Sequence, residues 1–119
     1  METTGVMLMY YFELNGYRYQ TTEDGFIIDY YDWNKNVAVY IAKRQGIDEL
    51  TKVHWKIIFA VRKFYEEYGF SPMSRNFSNA IRKVVGTEMS KTDYVHILFP
   101  AGASDVAKIA GIPRPTNNR

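Results

Sequence analysis

The sequence predicts a mainly helical α+β fold, an N-terminal β-hairpin packed on a bundle of about five helices with an extended C-terminal arm. Three observations predict it. Asn15-Gly16 lies between two short aromatic runs, the signature of a tight hairpin. From Asp32 onward apolar residues recur with helical spacing, cut by Gly46, Gly69, Gly86 and Gly111. After Gly111, Pro113 and Pro115 deny the chain a helix.

Taken in order, residues 1–9 read as a loose lead-in and 10–28 as the hairpin region. Tyr11–Leu14 and Tyr17–Gln20 supply the strands, because asparagine and glycine accept the positive φ of a type I′ turn. Glu23-Asp24-Gly25 marks a second turn, and 26–28 continues as a short strand. The helical region spans 32–110. Asp32 is placed to cap a helix from Trp33 to about Arg44, with Trp33, Val37 and Ile41 on one stripe. Thr51 is placed to cap a helix over 52–68 whose face is Ile57, Ile58, Val61, Phe64, Tyr65 and Tyr68. Ser71-Pro72 opens a third helix with proline at its first position, presenting Met73, Phe77, Ala80, Ile81 and Val84, and Gly86 closes it. Ser90 and Asp93 have capping-box spacing for a helix through Leu98, which Pro100 stops. Ser104 opens the last helix, 105–110, and 111–119 forms the arm. All of 1–119 reads as one domain.

Composition bounds the chemistry. With no cysteine there is no disulfide, thiolate metal site, persulfide or cysteine nucleophile. The longest apolar run, 6–12, is far shorter than the ~20 residues of a membrane span. It also lacks the flanks of a signal peptide, so a cytoplasmic protein without membrane contact is expected. Residues 1–69 carry 8 Lys/Arg against 10 Asp/Glu, a balance of −2; residues 70–119 carry 7 against 3, a balance of +4. The basic second half suits an acidic protein or a phosphate backbone, although a solvated face is the simpler account.

No metal site is expected. His54 and His96 stand far apart without partners at ligand spacing, and packed or capping roles explain them more simply. Adjacent Glu66 and Glu67 point in different directions on a helix, and Asp48-Glu49 precede a helix start, where negative charge is favoured. Neither pair is an acid–base dyad. Nucleophile-elbow and phosphate-loop motifs are lacking, and no cofactor is implied. Helices 52–68 and 72–85, joined by Gly69-Phe70, resemble a helix-turn-helix that would put Arg75, Arg82 and Lys83 near DNA or another anion. The motif is promiscuous, since any compact helical domain contains such pairs.

The stretch Lys108-Ile109-Ala110-Gly111-Ile112-Pro113-Arg114-Pro115-Thr116 resembles the C-terminal arm of the DsrC/TusE family, whose pattern is KIAGLPKPTGC. DsrC is also known as the gamma subunit of dissimilatory sulfite reductase. Further motifs follow in order: Thr22–Phe26 after the hairpin, Asp32-Trp33, Leu50–Trp55 (LTEEHW), Phe64–Gly69 (YYEEYG-like), Pro72 and Arg75 (PAIR), and Tyr94, Leu98, Phe99 and Pro100 (YLYxLFP). The resemblance covers nearly the whole chain. It implies a sulfur-relay protein whose penultimate arm cysteine carries sulfur and, in the DsrC branch, pairs with a second, earlier cysteine. Here Asn118 and Ala107 occupy those two positions. An asparagine amide hydrogen-bonds but neither attacks nor accepts sulfane sulfur, and a methionine thioether cannot hold a persulfide.

The resemblance therefore implies a cysteine-free paralogue, not an enzyme, that docks through Ile112, Pro113, Arg114, Pro115, Thr116, Asn117, Asn118 and Arg119. Expected partners are a siroheme sulfite reductase, a TusBCD/DsrEFH-like sulfurtransferase or a heterodisulfide-reductase-like complex. The alternative is a DNA-binding regulator using the helix pair at 52–85.

Overall fold

The computed structural model describes residues 9–116, so most of the expected lead-in lies outside it. Strand β1 (Tyr10–Leu14) pairs antiparallel with β2 (Tyr17–Thr21), in register from Tyr10↔Thr21 to Leu14↔Tyr17. Asn15 and Gly16 both have positive φ, at 53° and 80°, as the type I′ turn requires. Phe12 stacks on Tyr19 and on Tyr40, with ring centres 5.1 and 4.6 Å apart, which fastens the hairpin to the first helix. The strand expected at 26–28 is reduced to one bridge, Thr21↔Ile27. Phe26 and Ile27 are both buried, and adjacent side chains of a strand cannot face one core together.

Five helices follow: α1 (Lys35–Arg44), α2 (Lys52–Tyr68), α3 (Arg75–Met89), α4 (Thr92–Leu98) and α5 (Ala103–Ala110). Helix α1 starts later than the sequence predicts. Its cap is Asn34, which accepts the Val37 N–H at 3.0 Å, because Asp32 belongs to a 3-10 turn over Tyr30–Asp32 that Asp29 caps. Thr51 caps α2 as expected, and Gly69 ends it at φ 80°. Helix α3 does not begin at Pro72. Ser74, at φ 58°, breaks the chain first, and Pro72 is buried upstream. Gly86, at φ 86°, kinks α3 where closure was expected, and a further turn reaches Met89.

The Ser90–Asp93 capping box does not form, because the Ser90 hydroxyl donates back to the Thr87 carbonyl at 2.9 Å. Ser104 is not the cap of α5 either. Gly102 holds that position, and the buried Asp105 carboxylate reaches outside the helix to accept the Ala101 N–H at 2.8 Å. The other Asp105 oxygen accepts from Gln45 Nε2 at 2.8 Å, which ties α5 to the end of α1.

Helix α2 packs against both α3 and α5, and α5 also packs against α1. The core combines Phe26 with Ile57, Ile58 and Val61 of α2, Phe99, and Val106 and Ile109 of α5. Not every residue of the predicted apolar faces joins it. Tyr68 is 58% exposed and Val84 41%, and Ile81 is the one α3 residue fully buried. Among the described residues no helix is long and apolar enough to cross a membrane.

Candidate functional site

The site is built where α5 ends and the arm begins. Helix α5 is short and apolar, and it buries Val106, Ala107, Ile109 and Ala110. It terminates in a Schellman motif: the Ile112 N–H returns to the Ala107 carbonyl at 3.1 Å and the Gly111 N–H to the Lys108 carbonyl at 3.2 Å. Gly111 takes φ 72°, and the hydrophobic residue after it, Ile112, is fully buried. Glycine is required there for a second reason. A Cβ would stand 2.4 Å from Trp33 Cδ1, well inside contact distance.

Trp33 is held in that place. Its Nε1–H donates to the Ile109 carbonyl at 2.8 Å, and Arg62 Nη1 donates to the next carbonyl, Ala110, also at 2.8 Å. Two of the helix's orphan C-terminal acceptors are thus met from outside, one by a cation on the favourable end of the dipole. The Arg62 guanidinium lies between two rings, 4.0 Å from the centre of Trp33 and 4.1 Å from that of Tyr30. Burial holds Arg62 below the usual guanidinium range. Burial also pushes the Tyr30 phenol up to about 12, helped by its hydrogen bond to Glu66 Oε2 at 2.5 Å. Glu66 is therefore a bonded partner and not merely part of a solvated face.

Beyond Ile112 the arm runs along the hairpin end of the fold. The buried Ser71 hydroxyl donates to the Pro113 carbonyl at 2.5 Å. Arg114 Nε donates to Asp24 Oδ2 at 2.8 Å, and Nη2 donates to the same oxygen. The Thr22 hydroxyl and Arg114 hold the Asp24 carboxyl below its ordinary range. The Phe26 ring carries Lys108 at 5.1 Å and Arg114 at 5.8 Å. Pro115 is half-buried and Thr116 exposed; Asn117, Asn118 and Arg119 lie outside the described residues. Ala107, where the motif resemblance would place the earlier cysteine, is 2% exposed and belongs to the core.

Both histidines have local structural partners. His54 Nδ1 accepts the Thr51 N–H at 3.0 Å, completing a capping box, and Nε2 lies 2.9 Å from the Leu98 carbonyl. Only the neutral Nε2–H tautomer satisfies both bonds. His96 Nδ1 donates to the Pro100 carbonyl at 3.2 Å. Arg75, Arg82 and Lys83 are all exposed on α3, and Arg82 Nη2 donates to the side-chain Oδ1 of Asn79 at 2.5 Å. The connector before them runs over 69–74, longer than the ~3–4 residues of a helix-turn-helix corner.

Sequence reasoning did not find Arg62, and it gave Trp33, Ser71, Asp24 and Gly111 local roles in helices and turns without their part in the arm's root. One signal was available for Arg62, a charge one turn beyond Ile58 at the margin of the apolar stripe of α2. Chemically, the described part of the site can orient an arm and hold the cations Lys108 and Arg114 beside it. Without any cysteine in the chain it holds no thiol.

A family model described as "DsrC like protein" matches residues 13–118. The Sulfurtransferase TusE homolog of Haemophilus influenzae is 38% identical over 103 residues, covering 86% of this chain and 94% of its own length. The solution structure of Allochromatium vinosum DsrC aligns with a TM-score of 0.84 at 34% identity, over 94% of this chain and 100% of that one. The crystal structure of the oxidised gamma-subunit of the dissimilatory sulfite reductase (DsrC) from Archaeoglobus fulgidus aligns at 0.78 and 33% identity, over 92% and 100%.

Proposed function

The chain belongs to the DsrC-like family, and from that membership we propose that it is a docking module of sulfur metabolism that carries no sulfur itself. One observation carries the reading: a chain with no cysteine keeps the arm's root fully built. Trp33, Arg62 and Ser71 anchor residues 109–113 from three separate parts of the chain, and Gly111 gives Trp33 the room to do so. An arm whose only use was thiol chemistry would have no need of that anchorage once the thiol was gone. The proposed contact residues run from Pro113 to Arg119, because Ile112, expected among them from sequence, is fully buried in the arm's root; Arg119, and Arg114 once it exchanges Asp24 for a partner's carboxylate, would supply the cations.

The partners fitting this reading are a siroheme sulfite reductase, a TusBCD-like sulfurtransferase or a heterodisulfide-reductase-like complex. The chain's relatives, a sulfurtransferase and a gamma-subunit of dissimilatory sulfite reductase, support that class. Regulation would follow by competition with a cysteine-bearing family member. The DNA-binding alternative through Arg75, Arg82 and Lys83 has less support, since the connector at 69–74 lacks the tight corner.

Binding of the full chain to purified candidates of these classes, with a cysteine-bearing relative as competitor, tests the proposal. Saturable binding to one of them, displaced by the relative, is expected. Absence of binding to every candidate that does bind the relative would refute it.

A further inference from the structure

Helices α2 and α3 line an open trough of about 660 Å³, one end of which, at Phe70, adjoins the Ser71 that holds Pro113. Its two walls are helical stripes, Ala60, Phe64 and Glu67 on α2 and Asn76, Ala80 and Lys83 on α3. Small residues, Ala60 and Ala80, leave room between them. At one end Phe64, Tyr68 and Phe70 form a cluster, with centres 4.6 Å apart for Phe64–Tyr68 and 5.4 Å for Phe64–Phe70. Tyr68 and Phe70 are 58% and 46% exposed, which leaves large apolar area uncovered.

Charge indicates what covers it. Residues 52–89 carry seven Lys/Arg and three Glu, a balance of +4, whereas the whole chain is +2, so the remainder is −2. The helix pair thus holds the chain's excess of positive charge; Arg62 of that count is committed to the arm's root, and on the trough lining two lysines stand against one glutamate, a balance of +1. Lys63 and Lys83 line the trough, and among the described residues neither takes part in an ion pair. Glu67 is the one anion on the lining. Phe70 meets Phe64 at 86°, edge to face, so these rings cover one another instead of offering parallel faces for bases.

We propose that the α2–α3 trough receives an acidic amphipathic helix of a partner protein. Its apolar stripe would lie over Ala60, Ala80 and the Phe64–Tyr68–Phe70 cluster, and its carboxylates would face Lys63 and Lys83. This rests on the docking reading above and adds a second contact surface, made by residues outside the arm.

The test titrates the full chain with a synthetic peptide of roughly 18 residues, long enough to hold a helix, with leucines at i, i+3, i+4 and i+7 and glutamates elsewhere. Amide shifts are expected at Ala60, Phe64, Asn76 and Ala80. The double variant Lys63→Glu, Lys83→Glu, at exposed positions, should keep its melting temperature, bind the glutamate peptide about tenfold more weakly and gain affinity for a lysine version. Absent shifts, shifts elsewhere, unchanged affinity of the variant, or equal shifts from a single-stranded oligonucleotide would each overturn the proposal. The double variant also separates the two readings. If a sulfur-metabolism partner binds it as tightly as the native chain, docking stands and the trough fails. If the peptide seats in the trough and no such partner binds, the reverse holds.

Discussion

Replacing Gly111 by alanine tests the arm's root more severely than any other single methyl group. Two costs add. Gly111 sits at φ 72°, where a non-glycine residue loses about 1 kcal/mol. The new Cβ would also fall 2.4 Å from Trp33 Cδ1, 2.7 Å from Cγ and 2.9 Å from Cβ. Trp33 cannot yield freely, because its indole N–H is bonded to the Ile109 carbonyl and Arg62 covers its ring at 4.0 Å. Overpacking of this kind costs about 1–3 kcal/mol. The sum is about 2–4 kcal/mol, or about 8–16 °C in Tm for a chain of this size.

Gly69→Ala is the internal control, since Gly69 has φ 80° but nothing within 4 Å of its would-be Cβ. It should cost about 1 kcal/mol, or about 4 °C. Thermal and denaturant unfolding, followed by circular dichroism and tryptophan emission, measure both. Adding Trp33→Ala should reduce the Gly111→Ala increment to that of the control. Equal losses for Gly111→Ala and Gly69→Ala in the native background would refute the steric argument.

Arg62→Met keeps the aliphatic stem but leaves the Ala110 carbonyl without its donor and both rings without their cation, and should cost about 2–3 kcal/mol in urea unfolding. Asp105→Ala strands the Gln45 amide and the Ala101 N–H, for a loss of about 2–4 kcal/mol; Asp105→Asn keeps one acceptor and should lose less. Tyr30 binds its proton more tightly in the fold, with its pKa raised from 10.0 to about 12. Its contribution to stability is therefore complete below pH 10.0 and is lost as pH rises toward about 12. Phenolate absorbance should show a late step that Tyr30→Phe removes; the hydrogen bond to Asp32 raises Tyr17 as well.

What the sequence discloses is mostly local. Asn15-Gly16 sets the hairpin, Thr51 and Gly69 bound α2, and Gly111 ends α5, because each needs only a φ value or a neighbouring N–H. Expectations failed where a tertiary contact competed with a local one. Asp32 is drawn into a 3-10 turn that seats Trp33, Ser74 breaks the chain after a buried Pro72, and Asp105 caps from within α5. The arm's anchor was illegible for the same reason. It joins residues 30, 33, 62, 66, 71 and 109–113, and no window of sequence contains them together. The motif resemblance located the arm; the structure supplied what holds it.

Docking without sulfur transfer is tested most directly by intact-mass measurement. The full chain would be incubated with a persulfide donor alongside a cysteine-bearing relative, then weighed without reductant. The account predicts that the relative gains about 32 Da, one sulfur atom, while this chain's mass stays unchanged. A stable gain of about 32 Da on this chain would contradict it.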